Sequence, residues 1–126
     1  MEKKSTLITA ALSGMLAVLL GAFGAHSLKA MLQENGMLDA YQTAVQYQFY
    51  HTLALLATGI LMSQIPSGKL KYASLFFTLG IVLFSGSLYV LSLAEVRWIG
   101  PVTPLGGVLF ITGWIFLLWG TLHVKR

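Results

Sequence analysis

Four apolar stretches, each of about 20 residues and each without a charged side chain, dictate what this chain can fold into. They cover residues 6–25, about 45–65, 72–94 and 103–122. A helix of that length spans the hydrocarbon core of a bilayer and satisfies its own backbone hydrogen bonds there. Hydrophobic residues make up 56% of the chain and charged ones only 10%, against about 25% charged in an ordinary soluble domain. Short connections, residues 66–71 and 95–102, force neighbouring spans to run antiparallel. The expected fold is therefore all-α: one domain, residues 1–126, forming an integral membrane four-helix bundle.

Charge sets the orientation. The acidic residues are Glu2, Glu34, Asp39 and Glu95, and the basic ones Lys3, Lys4, Lys29, Lys69, Lys71, Arg97, Lys125 and Arg126. With the N-terminus in the cytoplasm, six of the eight basic residues fall inside; only Lys29 and Arg97 fall outside. Both termini are expected inside, with Trp98 at the outer interface and Trp119 at the inner one. The net charge of +4 raises the question of nucleic acid, but the basic residues come in scattered pairs, not in one stripe. Lys3-Lys4 before an apolar run also resembles a secretory signal. The run is longer than the usual signal core of about 7–15 residues, so it is expected to remain as a span. Without cysteine there is no disulfide, thiolate nucleophile or thiolate metal ligand.

Between the first two runs, Leu28, Met31 and Leu32 lie at helical spacing beside Lys29, Gln33 and Glu34. This predicts a short amphipathic helix in the outer interface, stopped at Asn35-Gly36. From about Met37 a helix can continue into the second run, which opens with Asp39, Gln42, Thr43 and Gln46 on one face and Gln48 and His51 on another. Lipid penalises such groups, so they are expected to face the bundle interior or the interface.

Small residues mark the packing faces. In the first run Ala10, Gly14, Ala17, Gly21 and Ala25 form a stripe, with Gly24 beside it. In the fourth, Gly106, Gly113 and Gly120 recur every seven residues. Close backbone approach is the main route to helix association in lipid, and a heptad interval keeps one seam on a left-handed neighbour. These glycines are expected to pack helices within the bundle or between protomers.

Polar residues gather at one depth in this topology: His26, Gln46, Gln48, His51, Ser85, Ser87 and Thr103. Thr103-Pro104 is expected to cap and start the fourth helix. If these residues converge, they make an outward-facing ligand-binding cluster. Two histidines are too sparse a set for a metal or haem site, so no metal and no cofactor are expected. An exporter resembling the small four-helix drug exporters needs a carboxylate within a span, and here there is none. No nucleophile–base–acid set points to an enzyme.

The motifs Gly21-Ala-Phe-Gly-Ala-His26, Tyr41-Gln-Thr-Ala-Val-Gln-Tyr-Gln-Phe-Tyr-His51, Leu83-Phe-Ser-Gly-Ser-Leu-Tyr89 and Thr103-Pro-Leu-Gly-Gly107 resemble, in order and over nearly the whole chain, those of the YgdD/YwdK-like small bacterial membrane protein family. One departure is Tyr41, where the resemblance leads one to expect Trp. The resemblance implies four spans in the bacterial cytoplasmic membrane and no established activity, substrate or cofactor. The expected role is that of a structural or interaction protein, with the lipid bilayer and either a second copy or another membrane protein as partners. The alternative is a binder or transporter of a small amphipathic or anionic molecule.

Overall fold

The computed structural model describes residues 1–124, and these form helices joined by short turns. Lys125 and Arg126, counted above among the inner charges, lie outside the described residues. Helix α1 spans Lys3–Ala25. Extended backbone at Glu2 opens it, and the hydroxyls of Ser5 and Thr6 both donate to the Glu2 carbonyl at 2.9 Å. A six-residue helix α2, Lys29–Glu34, follows. It ends as expected at Asn35-Gly36: Gly36 takes φ +67°, and the Met37 amide reaches back to the Leu32 carbonyl at 2.8 Å. Leu32 is fully buried while Lys29, Gln33 and Glu34 are exposed, so α2 is two-sided.

Helix α3, Leu38–Leu61, begins well before the apolar run that announced it. Next come α4 (Lys69–Gly80), a π-helical turn (Ile81–Ser85) and α5 (Gly86–Ala94), which together make one continuous rod. A short 3-10 turn, Arg97–Ile99, leads into α6, Val102–Leu122. The fourth helix is not capped by Thr103 as expected. Pro101, with φ −62°, holds the cap position, and Thr103 lies inside the first turn with its hydroxyl turned elsewhere.

Three helical segments, Lys3–Ala25, Lys69–Ala94 and Arg97–Leu122, are long and apolar enough to cross a membrane. Leu38–Leu61 is not among them. At about 1.5 Å per residue its 24 residues are long enough, but Asp39, Gln42, Gln46, Gln48 and His51 lower its hydropathy.

The helices associate as two antiparallel pairs. α1 lies along α3, and α6 lies along α4 and the π turn; α3 then packs on α4, the π turn and α5 to join the pairs. Small residues set both contacts. On α6, Gly106, Gly113 and Gly120 face Phe84, Phe77 and Leu70, which recur every seven residues on the opposing rod. A Cβ at Gly113 would lie 2.7 Å from the Phe77 ring, and one at Gly106 2.6 Å from the Phe84 Cα. Phe110 returns the contact by filling the space beside Gly80. In the first pair, Gly14, Gly21 and Gly24 face Thr52, Val45 and Tyr41, and Gly59 of α3 faces Leu7. The glycine faces marked out by the sequence on α1 and α6 are thus filled inside one chain. Ala10, Ala54, Leu55, Ala73, Phe77 and Phe110 form the apolar core where the pairs meet.

Candidate functional site

Helix α3 carries the centre of the site. Gln48 is its eleventh residue, so it lies deep between the helices and not at the mouth expected from the apolar run. Its Nε2 donates to the Ser13 carbonyl at 3.0 Å and lies 3.4 Å from Ser13 Oγ; its Oε1 accepts from the Tyr89 hydroxyl at 2.6 Å. Ser13 Oγ is also 2.6 Å from Thr52 Oγ1, one turn below Gln48. One amide therefore ties α1, α3 and α5 together. Tyr41 extends the arrangement upward. Its ring stands edge-on to Tyr89 at 5.5 Å, and its hydroxyl donates to the Leu20 carbonyl.

His51 faces another neighbour. Its ring stacks on Phe110, centroids 3.5 Å apart, and both side chains are buried. Nδ1 lies 2.7 Å from the Tyr47 carbonyl, which can only accept, so Nδ1 carries the proton. Nε2 then accepts from Trp114 Nε1–H at 3.1 Å. Both ring nitrogens are engaged, and the imidazole cannot ligate a metal without giving up the indole.

The remaining candidates are dispersed. Ser85 Oγ donates to the Ala44 carbonyl at 2.7 Å, closing α3 onto the π turn. Ser87 gives its proton to the Phe84 carbonyl at 2.9 Å and so accepts from Thr103 Oγ1 at 2.5 Å, linking α5 to the start of α6. His26 is the exposed residue at the end of α1, and Gln46 is exposed on the outer side of α3. The seven residues expected in one pocket therefore occupy six places: Gln48 with its partners, His51 with Trp114, the two separate serine ties, and two exposed positions. Depth alone grouped them, whereas helix rotation separates them. Among the described residues, no buried side-chain nitrogen or oxygen lacks a hydrogen-bond partner.

Several participants were not singled out from the sequence. Ser13 interrupts an apolar run beside Gly14, Thr52 stands four residues after Gln48, and Trp114 sits mid-run, where Trp is unusual because it favours interfaces. Each was a readable signal. At the opposite end, Lys71 Nζ pairs with Glu2 at 2.7 Å and Lys69 Nζ lies 3.5 Å from the Trp119 ring centroid. The Lys71 ammonium holds the Glu2 carboxyl below its ordinary range, through a hydrogen bond first and through charge second.

The family model described as "Protein of unknown function (DUF423)" matches residues 20–107. The chain belongs to this family. It is 44% identical to the UPF0382 inner membrane protein YgdD of Escherichia coli K12, over all of this chain and 95% of that one. A UPF0382 membrane protein of Staphylococcus saprophyticus is 46% identical over 96% of this chain and 99% of its own length. One from Staphylococcus epidermidis is 47% identical over 94% and 96%. No solved structure matches. The chain is accordingly a membrane protein of the DUF423 family, with helices apolar enough to span a bilayer.

Proposed function

We propose that this chain is a four-span structural or interaction protein of the bacterial cytoplasmic membrane, with both termini inside and α2 lying in the outer interface. The single observation that carries the reading is the complete pairing of the polar groups buried around α3. A helix bearing Gln48, His51 and Thr52 enters hydrocarbon only if those groups find partners on neighbouring helices, and here each does. The buried polar residues act as ties between helices, leaving no vacant buried donor among the described residues for a ligand. Burial of a polar helix by three apolar ones explains how the second run crosses despite its hydropathy. The four rods then form one bundle.

Orientation is testable because the chain has no cysteine of its own. Single variants Ser5→Cys, Gln33→Cys, Ser67→Cys and Arg97→Cys should divide cleanly with an impermeant maleimide on intact spheroplasts. Positions 33 and 97 should label, and 5 and 67 only after lysis. Equal labelling of 33 and 67 from one side would mean that α3 does not cross. The structural role is tested by purifying Gln48→Leu and His51→Gln variants: lower unfolding midpoints are expected. A normal fold with loss of a co-purifying small molecule would instead favour the binder or transporter.

A further inference from the structure

Helix α3 has a second polar side. Gln42, Gln46 and Tyr50 recur every four residues along its outer half, and all three are exposed. Among the described residues, no hydrogen bond within the chain involves either amide or the Tyr50 hydroxyl. The inward polar side of the same helix is fully paired.

Depth makes this exposure informative. Val45, next to Gln46, stands against Gly21, four residues before the end of α1. Ala44 is bonded to Ser85, nine residues before the end of α5. Gln46 is one residue deeper than Val45 and two deeper than Ala44, so at about 1.5 Å per residue it lies about 8 Å below one neighbouring helix end and about 16 Å below the other. Gln42 is one turn nearer the helix ends, and Gln46 lies one turn deeper. On the reading that α3 crosses the membrane, on which this inference rests, Gln46 presents an amide to the acyl region. Such groups are costly there unless another helix supplies a partner.

We propose that the Gln42–Gln46–Tyr50 face of α3 is a self-association surface, and that its partner is a second copy of this chain. Two observations favour a second copy. First, a carboxamide carries donor and acceptor together, so two glutamines related by a two-fold axis satisfy each other. Second, copies inserted in one orientation bring Gln46 to Gln46 at equal depth, a match that any other partner would have to reproduce. The stripe between Gln42 and Tyr50 is uncharged; Asp39 lies one turn above Gln42, at the end of the helix nearest water. The glycine faces, the other ready means of association in lipid, are already filled within the chain.

The absence of native cysteine makes the test direct. Leu53→Cys, one heptad below Gln46 on the same exposed side of α3, should in native membranes give mostly disulfide-linked dimer under mild oxidation, while Leu105→Cys and Ile115→Cys on the exposed face of α6 stay monomeric. Gln46→Leu should weaken energy-transfer-measured dimerisation in liposomes about 5- to 30-fold, with helical content unchanged. Cross-linking at 53 no greater than at 105, or to a different protein, overturns the proposal and leaves the four-span reading intact. Labelling of positions 33 and 67 from one side would overturn both.

Discussion

The two helix pairs are held together by different physics. Between α1 and α3, Gly14, Gly21 and Gly59 meet the ends of side chains while Gly24 meets the Tyr41 ring, and the contact is reinforced by Gln48, Ser13, Thr52 and Tyr41. Between the α4–α5 rod and α6, glycines meet whole aromatic rings and, at Gly106, the opposing backbone itself. Phe77, Phe84 and Phe110 supply shape, and the Ser87–Thr103 pair is the polar link between α5 and α6. Away from the Gly24–Tyr41 contact the first interface is tied and can adjust, whereas the second is mainly a fitted stack. Hydrogen-bonded helices tolerate small changes of spacing, because side chains re-aim. A ring seated on a glycine does not.

This difference orders the effects of mutation. Gly106→Ala should be the most damaging change, costing about 3 kcal/mol, because the new methyl would collide with Phe84 main chain that cannot yield. Denaturant unfolding in micelles measures it, and a loss below about 0.5 kcal/mol would remove the fitted-stack description. Gln48→Leu comes next, at about 1–3 kcal/mol, since it strands the Tyr89 hydroxyl and loosens Ser13. Adding Tyr89→Phe should recover part of that loss; strict additivity would show that the two side chains are not coupled.

Gly21→Ala belongs near the bottom of the order. Its methyl would approach only the end of Val45, at 3.3 Å, and alanine favours helix, so the change should stay within about 0.5 kcal/mol of zero. If it matched Gly106→Ala, the contrast between the pairs would be false. The smallest effect concerns pH. Lys71 lowers the folded-state pKa of Glu2, so this pair stabilises the fold above the ordinary carboxylate range. That contribution is lost as pH falls through the lowered value. Both side chains are largely exposed, so the acid-limb difference between the chain and Lys71→Met should be barely measurable.

Much of this architecture was legible in the sequence. Charge-free runs located the rods, Asn35-Gly36 marked the turn, and the seven-residue glycine interval of α6 foretold a seam whose other side proved to be Leu70, Phe77 and Phe84. The candidate site was less legible. Gln48 and Gln46 are two residues apart, and one lies at the centre of the network while the other faces outward. Only the rotation of α3 decides between them, and rotation depends on contacts with three other helices. The start of α6 was misread for a related reason: Pro101 already fixes the backbone that opens the helix, which frees the Thr103 hydroxyl to bond across to Ser87.

The π turn at Ile81–Ser85 carries a consequence for how this rod tolerates changes of length. A π turn holds one more residue than an α turn over nearly the same stretch. Deleting one residue there should let the turn relax to ordinary helix, with α4 still seated on Gly113 and Gly120 and α5 still joined to Thr103. The same deletion in α4 would rotate every ring below it off its glycine. Along the whole 26-residue rod, the turn is the one place where a residue can be removed cheaply.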